Sequence, residues 1–356
     1  MTAAGAVGAA LVALAVVLVV LAVLVGTARW VRLARDRRRR RRAAPLRPLL
    51  LEVAAGEPED AEHALEVLAG LDAARWTAVE GVVGGLLLKV RGETQRALVD
   101  LLERRGTLER ARRRTRSRSL VARAEAAELL GSTGQARATR DLLPLLEDRE
   151  AEVRAVAARA LGRSGDASAA GPLLERLSSP RDVPARVVAS AVLRLGPDAH
   201  PALATALRAA APLERATAAE IAGLAGAIGC ARDLLEGLAH DESVEVRIRC
   251  ARALGRLGPR DALDPLAAAT GAVEPTALRA VAARALGDLG DPAAVPRLAA
   301  LLIVPEHHVA TNAARSLTQL GPAGRAALGE AAAAGSPHAE DALATAALRD
   351  GAEVAR

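Results

Sequence analysis

A nine-residue string recurs along most of the chain and constrains the fold more than any other feature. RAEAAELLG (123–131), RAVAARALG (154–162), RVVASAVLR (186–194), RATAAEIAG (215–223), RIRCARALG (247–255), RAVAARALG (279–287) and ATNAARSLT (310–318) begin 31, 32, 29, 32, 32 and 31 residues apart. A repeat of this length is one supersecondary unit that cannot bury its apolar side alone; stacked neighbours make a continuous core. Each unit reads as two helices. In the second unit LLPLLED (142–148) is a short apolar helix. In the helix that follows, Val153, Val156, Ala157, Ala160 and Leu161 fall at i, i+3, i+4, i+7 and i+8 on one face. Asp148 marks the turn before that helix, and Gly162, Gly165 and Asp166 read as its stop and the next turn. Pro292, after ALGDLGD, suits the first turn of a following helix.

Composition agrees. Hydrophobic residues make up 51% of the chain but aromatics only 1%, with Trp30 and Trp76 and no Phe or Tyr. A core of Ala, Leu and Val favours close-packed helices over a sandwich or barrel. The spacing is too short for tetratricopeptide units, and the ankyrin motif is absent. Cys230 and Cys250 fit neither a disulfide framework nor a zinc site and read as buried thiols in a reducing compartment.

The pattern Asp, a short spacer, then Val-Arg-x-x-Ala-Ala-x-Ala-Leu-Gly-x-x-Gly-Asp resembles bacterial HEAT-like repeats of the kind named for phycobilisome lyases. Asp148 with Val153-Arg154 and Asp241 with Val246-Arg247 carry it, and it covers roughly residues 107–335. The resemblance implies an all-α, right-handed α-solenoid in which turn aspartates and helix arginines form a ladder. Asp148, Arg154, Asp241 and Arg247 are the matching positions. The other units keep the arginine but lose the aspartate at that spacing, and the last has Ala310, so a partial, structural ladder is expected.

Thr2 to Ala28 carries no charged side chain, and LVALAVVLVVLAVLV (11–25) is continuously apolar. As a helix, 27 residues span roughly 40 Å, enough to cross a bilayer. A cleaved signal peptide is the rival, but it would want a positive n-region and a shorter core. Arg29, Arg32, Arg35 and the run Arg37, Arg38, Arg39, Arg40, Arg41, Arg42 follow directly, and Trp30 sits at the expected headgroup level. The positive-inside rule then puts the N-terminus outside and the solenoid in the cytoplasm, at a bacterial cytoplasmic membrane. The layout also resembles HEAT-domain membrane proteins of actinobacteria-like bacteria. The expected plan is an anchor at 1–28, an Arg-rich juxtamembrane segment at 29–48, four off-register helices or an N-terminal cap at 49–106, and a repeat array at 107–356. The array has about seven units and a capping helix at 337–349. Gly81, Gly84 and Gly85 mark an expected kink or tight crossing in the third of the early helices.

The net charge of +6 is uneven: residues 29–42 and 104–123 are strongly basic, and the remainder is net acidic. The second block, with Arg112, Arg113, Arg114 and Arg116, has three readings: a solvated face, a contact with anionic headgroups, or a nucleic-acid surface. Base-stacking aromatics are missing for the last, so nucleic acid is not the expected partner. His63, His200, His240, His307, His308 and His338 make no H-E-x-x-H, and none precedes a Glu. The paired His-Glu dipeptides of HEAT-type iron enzymes such as deoxyhypusine hydroxylase are therefore absent, and His240-Asp241 is the nearest approach. With no P-loop and no nucleophile elbow, no catalytic residue, metal or cofactor is expected. The expected role is a membrane-anchored scaffold that binds other proteins; a HEAT-type lyase or iron oxidoreductase, or a nucleic-acid binder, is the alternative.

Overall fold

The computed structural model describes residues 43–55, 58–179 and 182–354, together with Val23, Thr27, Trp30 and Arg41. The rest of the apolar 1–28 segment lies outside the described residues, as do Arg29, Arg32, Arg37, Arg38, Arg39, Arg40 and Arg42. Trp30 and Arg41 are exposed. Among the described residues no helix is long and apolar enough to cross a membrane, and no strand occurs. The chain divides into two compact units between Arg110 and Ala111.

The first unit holds α1 (Arg47–Ala55), α2 (Pro58–Ala69), α3 (Ala73–Leu86) and α4 (Gly92–Arg104), the four helices expected there. α5 (Thr107–Arg114) spans the division. Asp72 caps α3 by accepting from the backbone N–H of Ala74 and Arg75, each at 2.9 Å. The buried Trp76 donates from Nε1 to Thr107 Oγ1 at 3.0 Å, and the Arg105 guanidinium lies 4.9 Å from its ring centre. α3 runs unbroken through these glycines, and Gly81 and Gly85 face open space, so neither makes the tight crossing expected there.

The second unit is a helical-repeat array. Its longer second helices are α6 (Leu120–Ser132), α7 (Ala151–Leu161), α8 (Ala185–Leu195), α9 (Pro212–Ala225), α10 (Val244–Leu257), α11 (Thr276–Leu289) and α12 (His307–Gln319). Each packs on the next, and short first helices, most opened by a 3-10 turn, lie between them in the chain. The array ends in α13 (Gly321–Ala333) and α14 (Pro337–Val354), so the capping element is a whole hairpin rather than one helix.

Two glycines in five of the seven units have separate jobs, where the sequence suggested one shared stop signal. Gly134, Gly165, Gly196, Gly226, Gly258, Gly290 and Gly321 have positive φ and turn the chain out of the second helix. The earlier glycine is a packing device. Gly131 meets Ala160, Gly162 meets Ala191, Gly223 meets Ala253, Gly255 meets Ala285 and Gly287 meets Ser316. A Cβ added at Gly223 or Gly255 would lie 2.8 Å from the Cα of the facing alanine, so these helices approach backbone to backbone.

The positive-φ glycines also correct the repeat register. Each follows its lead residue (Arg123, Arg154, Arg215, Arg247, Arg279 or Ala310) by eleven positions; counting back from Gly196 gives Ala185, not Arg186. Arg186 is exposed, one step off the core-facing position. Repeat 3 thus lacks the lead arginine. Its packing-glycine position is Leu193, and the facing position in α9 is Ile221.

Candidate docking face on the second helices

The lead arginines form a ladder between repeats. Arg123 donates from Nε and Nη2 to the two oxygens of Asp148 at 2.6 and 2.7 Å, and both side chains are more than 90% buried. Arg215 grips Asp241 the same way at 2.6 and 2.9 Å, and Arg247 grips Glu274 with two bonds of 2.7 Å. Arg279 pairs with Glu306. Arg154 reaches the backbone oxygen of Asp182 at 3.1 Å, with the Asp182 carboxylate 3.9 Å away. Each arginine takes its acid from the turn before the next second helix. The pairing of Asp148 with Arg154 and Asp241 with Arg247 read from the sequence is thereby shifted by one repeat. Asp148 belongs to Arg123 and Asp241 to Arg215, while Arg154 meets only the Asp148 carbonyl, at 3.0 Å. The ladder is also fuller than expected, because Glu274 and Glu306 sit one and two residues nearer the helix than the aspartates do and longer side chains reach the same arginine.

Burial alone would raise the Asp148 and Asp241 carboxyls. The arginine hydrogen bonds, the N–H groups of Glu150 and Ser243, and the nearby arginine charges hold both below the usual carboxylate range. Glu274 is lowered chiefly by Arg247, and Glu306 by a backbone hydrogen bond and Arg279. These groups brace the stack, and the one His-acid dipeptide, His240-Asp241, is part of it.

The basic block is also largely committed. Arg105 donates to the Ala69 carbonyl at 2.9 Å, and Arg110 to Glu80 at 3.0 Å. Arg112 lies 3.4 Å from Asp141, and Arg114 bonds Glu125 at 2.6 Å. Arg116 and Arg118 are exposed. Charge density along the sequence could not reveal this, because the neutralising carboxylates come from distant helices. Cys230 and Cys250 are buried free thiols; burial pushes Cys230 up and Cys250 up to about 12, which leaves them protonated and unreactive at neutral pH.

What remains for recognition is the exposed side of the second helices. Five residues after the lead position stand Glu128, Arg159, Ser190, Glu220, Arg252, Arg284 and Arg315. In the earlier repeats the acids are bridged to neighbouring helices: Glu128 takes Arg163 at 2.9 Å, and Glu220 takes Arg249. From α10 onward the position is arginine three times running. Arg252, Arg256, Val281, Arg284, Asp288 and Asn312 line a groove of about 430 Å³. Arg252, Arg256 and Arg315 make no ion pair among the described residues, and Arg284 lies 3.7 Å from Asp288. A second groove of about 440 Å³ adjoins α12 and is lined in part by His307, Thr311, Arg315, Arg325, His338 and Asp341. The rings of His307 and His338 are 5.0 Å apart between centres, a meeting of α12 with α14 that spacing in the sequence does not show. Among the described residues no three His, Cys, Asp or Glu side chains converge to hold a metal.

Stacked helical hairpins tied by arginine–carboxylate rungs define a helical-repeat solenoid, a class that presents surface along its length rather than one enclosed pocket. The sequence pattern described as HEAT repeats matches residues 107–196 and 231–318, together half of the chain, and the chain belongs to the HEAT-repeat family. The unmatched stretch between them contains α9 and begins just after α8, where the rung and the packing glycine are missing. No curated protein matches the chain in sequence. A mutant of Kap121p shares the fold at 14% identity and TM-score 0.52, covering 80% of this chain and 38% of that one. The CpcE–CpcF complex of phycocyanin lyase from Nostoc sp. PCC7120 is 24% identical at TM-score 0.32, covering 66% of this chain and 92% of that one. Human deoxyhypusine hydroxylase in complex with glycerol is 24% identical at TM-score 0.31, covering 73% and 96%.

Proposed function

We propose that this protein is a membrane-anchored, non-catalytic HEAT-repeat scaffold that docks other proteins at the cytoplasmic face of a bacterial membrane. The observation that carries the docking role is the division of labour among the arginines. Those at the lead positions are consumed in rungs, while those on the solvent-facing side of α10 to α12 line open grooves. The anchoring role rests on the uncharged segment 2–28 and the arginines that follow it. Arg116 and the neighbouring exposed arginines add to headgroup attraction only as far as they are not already paired.

The test is fractionation followed by capture. The full-length chain should stay with membranes through an alkaline carbonate wash. Tagged at Arg356 and solubilised from native membranes, it should bring down protein at a fixed ratio. Release by carbonate overturns the anchor, and recovery of the chain alone overturns the scaffold. Iron or zinc retained at one per purified chain would instead favour the alternative, a HEAT-type enzyme.

A further inference from the structure

We propose that the solvent-facing side of α10, α11 and α12 binds an extended acidic segment of a partner protein that carries a carboxylate at every third residue. This rests on the scaffold reading and names the chemistry of its partner. Arg252, Arg284 and Arg315 occupy the same position on three consecutive second helices. The Gly255–Ala285 and Gly287–Ser316 contacts hold those helices at close approach, so successive arginines are one helix spacing apart, roughly 8–9 Å. A polyproline II strand advances about 3.1 Å per residue with three residues per turn, so every third side chain points the same way at roughly 9 Å intervals. The two periods match, and such a strand needs little further ordering to bind.

The charge of the face points the same way. Arg252, Arg256 and Arg284 line the first groove against one carboxylate, Asp288; Arg315 and Arg325 line the second against Asp341. Of these, Arg252, Arg256 and Arg315 make no ion pair among the described residues, and guanidinium groups match carboxylates in paired geometry. Other polyanions fit less well. Single-stranded nucleic acid binds by stacking bases on aromatic rings, and the array from residue 111 onward has no Phe, Tyr or Trp. A bilayer is flat on this scale, whereas Arg252 is half-buried in its groove.

The experiment measures fluorescence anisotropy of a labelled (Asp-Pro-Pro)5 peptide titrated with the full-length chain. A peptide of the same composition with its aspartates clustered, an oligo-dT strand and phosphatidylserine vesicles are the competitors. The periodic peptide should bind about fivefold more tightly than the clustered one. The Arg252→Gln/Arg284→Gln/Arg315→Gln variant should lose about tenfold in affinity. Arg140→Gln/Arg232→Gln/Arg260→Gln, with equal charge removed from the first helices, should change it less than about twofold. Arg252→Gln alone, expected to weaken binding about twofold to threefold, replaces the triple variant if that does not fold. Equal affinity for both peptides, no loss in the groove variant, or displacement of the bound peptide by oligo-dT or by vesicles overturns the proposal. Partners still captured from membranes after such a result would leave the scaffold reading in place.

Discussion

Arg215 and Asp241 are each costly to bury alone, and their value lies in satisfying each other. Their side chains are 16% and 7% exposed, and the carboxylate also accepts the Ser243 N–H at 2.8 Å. Removing one partner strands the other, which costs more than the pair contributes as a unit. Asp241→Ala should destabilise the full-length chain by about 1–3 kcal/mol in urea melts, and Arg215→Leu/Asp241→Leu by less than the single change. The rungs also set a pH dependence. The folded carboxyls of Asp148, Asp241, Glu274 and Glu306 sit below their ordinary values, which are about 4 in an unfolded chain. Between folded and unfolded values the unfolded chain binds more protons, so this stability is present at higher pH and is lost as pH falls through the folded values. The thermal midpoint should be flat from about pH 6 to 8 and drop below about pH 4; a midpoint that rises on acidification would contradict the ladder. At this scale the sequence was half legible. It showed the lead arginines and two of the aspartates, but the neighbour that supplies each acid depends on how hairpins stack.

Helix-to-helix contacts decide what a glycine means. In α10, Gly255 faces the Ala285 backbone; in α3, Gly81 faces open space. Helix propensity favours alanine at both by up to about 1 kcal/mol. At Gly255 the new methyl would meet backbone that cannot move alone, so Gly255→Ala should cost about 1–3 kcal/mol while Gly81→Ala is neutral or stabilising. Chemical denaturation of the two variants side by side checks this, and equal effects would sink the close-approach argument. The α8–α9 junction is the converse case. It has Ala185 for the lead arginine and Leu193 and Ile221 for the glycine–alanine contact. In a linear array stability is a sum of neighbour terms, so the weakest interface opens first. Amide exchange should be faster in α8 and α9 than in α10 and α11, and a uniform rate across all four would contradict it. The repeat period and the all-helical class were plain in the sequence, because they depend on local periodicity. The register of repeat 3 was not: RVVASAVLR aligns by its arginine, yet Gly196 and the buried Val188, Ala191, Val192 and Leu195 place it one residue earlier.

Across the whole chain, one pattern links fold to role. Charges that point along the stack are neutralised by the next repeat, while Arg252 and Arg315, on the solvent-facing side of α10 and α12, make no ion pair among the described residues. The second feature became visible only with the structure, because residues such as Glu128 and Arg163 pair 35 positions apart while Arg252 and Arg315 do not pair at all among the described residues. The docking role makes a prediction about neighbours in the cell. A photo-crosslinking amino acid placed at residue 284 or 315 of the full-length protein lies exposed on α11 or α12; one at residue 232 lies exposed on a first helix. Crosslinking in intact cells, followed by mass spectrometry of the adducts, tests the central claim most directly. The expected result is discrete protein adducts from 284 and 315, with acidic segments at the linked sites, and few or none from 232. Adducts of equal yield from all three positions, or none from 284 and 315, would contradict a docking face on these helices.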